Sequence, residues 1–464
     1  MTELAALIPE FLVLAGALAA LFAGADERRL GPWLGAGCAL AAAVAVALIG
    51  PSGELFGGVM ELDAVAVFGR ASIASLTALW LLWVAGRGLG ADRSREAAAF
   101  ALLSSLGGML MVSAQDIIVL FISLELSTMP AYVLMGYRRT DARGLEGALK
   151  YFLLSMLTSL VMLYGLSFVY GVAGSTSYAA LSSAPPGALL QVSVVLVLVG
   201  MFAKLSATPF HYWTPDAYEG AQAPSVAYVS TVPKLAGTIA LAQLLGALPA
   251  SPDTATVVVA AAVLSMLVGN LAAFPQSDLR RLMAYSGVAH TGYLLLALSS
   301  GASGGTAAVF YALAYAVPSM AIMLLGAEEG VALDDLAGLA ARRPALAWAS
   351  LVWLLSLVGI PPMAGFFGKL YLFTSAVSGG QLWPVLVAIA MSVVSAGYYF
   401  RVVRRVFFGE RSDAPVPPRN VPAAATFAIA TLIVLALGLF ASPLLGLLEL
   451  RFRDVAVALA PLFG

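Results

Sequence analysis

Residues 194–211 read Val194-Val-Leu-Val-Leu-Val-Gly-Met-Phe-Ala-Lys204-Leu-Ser-Ala-Thr-Pro209-Phe-His211. Apolar residues run unbroken up to a lysine, and a proline follows within the same stretch. An apolar window of about 20 residues is a membrane-spanning helix. Pro209 withdraws a backbone donor and breaks the helix ladder, leaving carbonyls that water or polar side chains must satisfy at membrane depth. A cation there costs about 2.5–3.5 kcal/mol on insertion scales, so a lysine so placed marks a functional site. All four lysines of the chain, Lys150, Lys204, Lys234 and Lys369, lie in such apolar segments, while loops take nearly all of the twenty arginines. Arginine stays protonated in proteins, whereas a desolvated lysine can release its proton near neutral pH. The interior cation is therefore the one that titrates.

Working outward, 61% hydrophobic and 11% charged residues, with a mean hydropathy of +0.95, define an all-α polytopic membrane protein. The net charge of −1 and the absence of a long basic run exclude a nucleic-acid partner. A single cysteine, Cys38, excludes an internal disulfide and a Cys-rich metal or iron–sulfur site. The two histidines, His211 and His290, have no second His or Cys at metal-ligand spacing, so no protein-bound metal is expected. Acidic residues in Met1–Glu10 replace the positive region of a cleavable signal, and the first apolar stretch is expected to remain as a helix.

Apolar windows bounded by charge, Gly/Pro or polar clusters predict fourteen spans. The loops after the odd-numbered spans hold seventeen of the twenty-four basic residues, Arg28, Arg139 and Arg411 among them; the even loops hold none, and the C-terminus holds Arg451 and Arg453. The positive-inside rule then makes the odd loops cytoplasmic and puts both termini on the outer face of the cell inner membrane. Arg70, about seven residues into its span, reads as a snorkelling or structural residue. Glu10, Glu61 and Asp63 read as interfacial, and the tyrosines and tryptophans at helix ends as aromatic belts.

Glu125 and His290 are 165 residues apart, as are Lys204 and Lys369, and five spans separate each pair. An odd number of spans reverses orientation, the mark of an inverted-topology repeat with sites near discontinuous helices. Gly359-Ile-Pro361-Pro362 before Lys369 supplies the second helix breaker. The expected organisation is one membrane domain: residues 1–95 as helices 1–3, 96–250 as the first five-helix repeat, 251–410 as the inverted second, and 411–464 as helix 14.

The run Phe202-Ala-Lys204-Leu-Ser-Ala-Thr-Pro-Phe-His211-Tyr-Trp-Thr-Pro-Asp216-Ala-Tyr-Glu219-Gly-Ala-Gln-Ala-Pro224 resembles the subunit N family of respiratory complex I, the proton-translocating NADH–quinone oxidoreductase. Leu124-Glu125-Leu126, the stretch Asp278-Leu-Arg-Arg-Leu-Met-Ala-Tyr-Ser-Gly-Val-Ala-His290-Thr-Gly-Tyr293, Asp335-Leu-Ala-Gly-Leu339 and Gly359-Ile-Pro-Pro-Met-Ala-Gly-Phe-Phe-Gly-Lys369 are similar to the same family. Among its antiporter-like relatives, subunit M usually carries glutamate where this chain has Lys369, and subunit L adds a lateral C-terminal helix that this chain is not expected to have.

The resemblance implies a buried proton relay of Glu125, Lys150, Lys204, Lys234, His290 and Lys369, with Glu125 paired to Lys150 and Lys369 at the exit. It implies a secondary role for His211 nearer the surface. Asp216 and Glu219 read as surface or capping residues. No cofactor is expected in this chain; NADH, FMN, iron–sulfur clusters and quinone belong to partner subunits of the same membrane assembly. Two other classes stay open at the level of sequence: an Mrp-type cation/proton antiporter subunit, and a non-transporting membrane scaffold.

Overall fold

The computed structural model describes residues 3–23, 29–89, 93–138, 141–249, 251–410 and 418–448. Arg28, Arg139, Arg411, Arg451 and Arg453 lie outside them. Seventeen longer helices carry the fold: α1 Ile8–Phe22, α2 Leu30–Ile49, α3 Ala64–Arg87, α4 Ser94–Met111, α5 Ile117–Met135, α6 Ala142–Ala173, α7 Ala188–Leu205, α8 Trp213–Gly220, α9 Ala223–Val229, α10 Val232–Ala247, α11 Pro252–Ala273, α12 Leu279–Leu298, α13 Ala302–Glu329, α14 Pro344–Val358, α15 Ala364–Ser378, α16 Leu382–Phe408 and α17 Val421–Leu439. Ten helical stretches, with α9 and α10 taken as one, are long and apolar enough to cross a membrane. Each of the fourteen expected spans coincides with a helix or a helix pair.

Local chemistry sets the helix starts. The side chains of Asp63, Asp116, Asp141, Asp278 and Asn420 accept backbone N–H bonds in the first turns of α3, α5, α6, α12 and α17, satisfying donors that have no partner within the helix. The expected breaks are present. α7 stops at Leu205 and α8 resumes at Trp213, around Pro209; α14 stops at Val358 and α15 resumes at Ala364, around Pro361 and Pro362. A third break corrects the reading of 222–247 as one continuous helix. Ser230 and Thr231 separate α9 from α10, because Pro233 has no N–H to continue the ladder. A short antiparallel hairpin, Gly53–Leu55 with Met60–Leu62, joins α2 to α3 and was not expected.

The inverted repeat appears in the backbone. In the first unit, α4–α10, the chain leaving α6 turns back to the start of α5, with Ile117 N–H donating to Thr176 O at 2.9 Å and Tyr178 N–H to Gln115 O at 2.9 Å. In the second, α11–α16, the chain leaving α13 does the same at the start of α12: Leu279 N–H donates to Val331 O at 2.7 Å and Leu333 N–H to Ser277 O at 2.9 Å. With the two capping aspartates, Asp116 and Asp278, in register, Glu125 falls opposite Gly287, nearly one turn short of His290. Lys204 ends the half-helix before its break, whereas Lys369 follows its break. The repeat stands, but the equal spacing of the two residue pairs is not its register.

The N-terminal helices hold a buried ion pair. Arg70 Nε donates to Glu10 Oε1 at 2.7 Å, and Arg70 also donates to Ala6 O at 2.9 Å. Arg70 and Glu10 are 1% and 4% exposed, so Arg70 does not snorkel and Glu10 is not interfacial. Asp63 is buried as the cap of α3.

Candidate functional site

The polar interior begins at Lys204, in the last turn of α7. Its Nζ donates to Tyr132 Oη at 2.9 Å, Ser155 Oγ at 2.9 Å and Thr128 Oγ1 at 3.1 Å, and stands 3.4 Å from Glu125 Oε1. Ser159 Oγ donates to the same Glu125 oxygen at 2.6 Å. The partner of Glu125 is therefore Lys204, and the expected Glu125–Lys150 pair is absent. Lys150 turns outward on α6, 43% exposed, and reaches Asp216 Oδ2 and Glu146 Oε1, both at 2.9 Å. Arg281 joins the same cluster, 3.1 Å from Asp216 and 2.6 Å from Glu219. Asp216 lies outside the spanning segments, and the hydrogen bond from Lys150, reinforced by Arg281, holds its carboxyl below the usual carboxylate range. Between this surface cluster and Lys204 stand Tyr151 and Trp213, stacked at 4.0 Å, with Tyr132 edge-on to Tyr151 at 4.6 Å.

Two small cavities follow one another across the first turns of α10. One is lined by Lys204, Thr128, Tyr151, Trp213, Pro233 and Gly237. The next is lined by Leu205, Lys234, Thr238, Gly287, His290 and Tyr315. Lys234 is 7% exposed and its Nζ has no hydrogen-bond partner among the described residues. The Tyr218 ring lies 5.7 Å from it. Gly287 makes room for this ammonium: a Cβ there would stand 3.2 Å from Lys234 Nζ and 3.0 Å from Tyr315 Oη. The helix dipole supports a cation at Lys204, which ends α7, and opposes one at Lys234, which opens α10.

His290 sits mid-way along α12, buried, among Tyr293, Tyr311 and Tyr315. Its Nδ1 meets Tyr311 Oη at 2.5 Å and its Nε2 meets Tyr399 Oη at 3.1 Å. Beyond it, Lys369 Nζ donates to Val358 O and to Ser392 Oγ, each at 2.8 Å, over the Tyr293 ring at 5.3 Å. Val358 is the last residue before the second break, so Lys369 satisfies a carbonyl that the break freed. At the first break Thr291 Oγ1 donates to Leu205 O at 2.7 Å and Trp213 Nε1 to Ala203 O at 3.0 Å.

His211 lies in the first break, buried, with Nδ1 3.4 Å from Thr208 Oγ1. No hydrogen bond links it to the lysine row among the described residues. The site residues not anticipated are the tyrosines. Tyr132, Tyr311 and Tyr399 bond directly to relay side chains, and Tyr293 lies under Lys369. All four sit inside helices rather than at their ends, the one signal that separates them from an aromatic belt. Among the described residues no group of three or more His, Cys, Asp or Glu side chains is placed to hold a metal ion.

Interrupted helices in two inverted units, threaded by buried lysines, define an antiporter-like membrane subunit. Residues 114–395 match the family described as NADH:quinone oxidoreductase/Mrp antiporter, transmembrane. The chain is 36% identical to NADH-quinone oxidoreductase subunit N of Maricaulis maris over 98% of each chain. It is 38% identical to NADH-quinone oxidoreductase subunit N 2 of Symbiobacterium thermophilum, covering 84% of this chain and 82% of the relative. Among solved structures, a chain of respiratory complex I from Thermus thermophilus with bound aureothin superposes with a TM-score of 0.84 at 32% identity, over 95% of this chain and 98% of that one. A chain of the Mrp complex from Dietzia superposes with a TM-score of 0.84 at 23% identity, over 98% and 97%, which is a likeness of fold alone. The chain belongs to the antiporter-like family of NADH–quinone oxidoreductase membrane subunits, in its subunit N branch.

Proposed function

We propose that this chain carries protons across the membrane as the subunit N-type member of a proton-translocating NADH–quinone oxidoreductase. Electron transfer, with NADH, FMN, iron–sulfur clusters and quinone, belongs to partner subunits. The observation that carries the reading is the continuity of the buried row. Glu125 and Lys204 share one cavity, Lys234 and His290 share the next, and tyrosines join His290 to the surroundings of Lys369. Residues 96–250 and 251–410 act as the two half-channels. The cluster of Lys150, Asp216, Glu146 and Arg281 stands at the uptake mouth, and the Tyr151–Trp213 stack separates it from Lys204. The arginine-bearing loops face the cytoplasm and both termini the outer side of the inner membrane.

Within this scheme the Glu125 carboxylate holds the proton on Lys204, and weakening that pair releases it towards Lys234. Two ammonium groups about 7 Å apart at an effective dielectric near 20 repel by roughly 2.4 kcal/mol, enough to drive such a transfer. The hydroxyls of Tyr132, Ser155 and Thr128 accept from Lys204 and keep its Nζ aimed while the charge changes. His290 takes a proton at one ring nitrogen and gives one from the other. In membrane vesicles holding the assembled complex, Lys204→Ala is expected to keep quinone reduction and lose part of the proton-to-electron ratio. A wild-type ratio in that variant would remove Lys204 from the path.

A further inference from the structure

His290 has two hydrogen-bonding neighbours, and both are tyrosine hydroxyls. A neutral imidazole carries a single N–H, so one ring nitrogen donates while the other accepts. The surroundings decide which. Tyr311 Oη has the imidazole Nδ1 as its one hydrogen-bond partner among the described residues, at 2.5 Å, and its ring is 1% exposed. If Nδ1 carried the proton, the Tyr311 O–H would be left buried without an acceptor, an arrangement folded proteins avoid. With Tyr311 donating to a bare Nδ1, every proton finds a place. Nε2–H donates to Tyr399 Oη at 3.1 Å, and the Tyr399 O–H donates to Ser286 Oγ.

The side that receives the proton is also set. Tyr399 lies on α16, and Ser395 and Ser392 lie three and seven residues before it on the same face. Ser392 Oγ is the group that accepts from Lys369 Nζ. A proton on Nε2 is therefore aimed at the helix whose polar stripe ends on Lys369.

We propose that Tyr311 is a positioning residue: its hydroxyl locks His290 in the Nε2–H tautomer and so gives the second half of the relay its direction, from the imidazole towards Tyr399 and Lys369. The assignment of a direction rests on the proton-carrying reading above, but the tautomer itself does not. In the transfer step the Tyr311 O–H proton moves to Nδ1 as the Nε2 proton leaves for Tyr399. The proton Tyr311 gives up is replaced from the side of the Lys234 cavity, which keeps the imidazole neutral at the end of the step. Phenylalanine at position 311 would keep the ring and remove the donor.

The test is nitrogen NMR on the full chain, ¹⁵N-labelled at histidine and held in lipid bilayers, with His211→Gln assigning the one remaining imidazole. The expected spectrum has Nε2 protonated and Nδ1 bare and hydrogen-bonded. A protonated Nδ1 as the main form of the parent chain would overturn the proposal with no further variant needed. In Tyr311→Phe both penalties against the Nδ1–H form disappear, and the ratio of Nδ1–H to Nε2–H is expected to rise about tenfold or more; an unchanged ratio would also overturn it. Proton counting on the assembled complex separates the two claims. Full pumping by Lys369→Ala would defeat the transport reading while leaving the tautomer assignment intact.

Discussion

Glu125 and Lys204 stand 3.4 Å apart with 12% and 6% of their side chains exposed, so each offsets the desolvation cost of the other. Removing one leaves a buried charge, which costs about 3–5 kcal/mol in such pairs. Glu125→Gln and Lys204→Met are expected to be non-additive, with a coupling of about 0.5–3 kcal/mol in a double-mutant cycle read by unfolding of the solubilised chain. Additive losses would mean that the two do not pair. The partner of Glu125 was in principle readable from α6. At about 100° per residue, Lys150 points roughly 140° around the helix from Ser155, and Ser155 and Ser159 form the face that meets Lys204 and Glu125. Burial of an apolar segment says that a lysine is in a helix, not which way it points. The tyrosines were passed over for a related reason, since a residue with one polar atom and a large apolar ring reads equally as belt, core or relay.

At the scale of elements, the breaks were legible because proline acts through the backbone, and Pro209, Pro361 and Pro362 each stand where a helix stops. What satisfies the freed carbonyls was not legible, since the donors come from remote helices: Thr291 of α12 for Leu205, Trp213 of α8 for Ala203 and Lys369 of α15 for Val358. Thr291→Val keeps the shape and removes the donor to Leu205 O, leaving a buried acceptor at a cost of about 1–3 kcal/mol. We expect a lower melting temperature for the solubilised chain carrying Thr291→Val and near-complete recovery with Thr291→Ser. Equal behaviour of the two variants would show that this bond does not hold the break. The hairpin at 53–62 escaped the sequence reading because three-residue strands leave no alternating pattern to detect.

Across the whole molecule the first and last parts of the chain are tied by charge as well as by packing. Arg87, at the end of α3, meets Glu328, at the end of α13, at 2.6 Å, and Arg343 bridges Glu328 and Glu329 at 3.0 and 2.7 Å. α13 carries Tyr311 and Tyr315 past His290, so this buried network anchors one wall of the second cavity to the N-terminal helices. The inverted units place one break beside Lys204 and the other beside Lys369, and the cavities between them line up the groups that exchange the proton. Lys234 tests that arrangement most directly, because its Nζ bonds to nothing among the described residues and Lys234→Met removes a charge while keeping the length of the side chain. The decisive measurement is the number of protons translocated per electron by vesicles holding the complex with Lys234→Met. A reduced ratio with assembly and quinone reduction retained is the predicted result; a wild-type ratio would contradict a relay through the buried lysines.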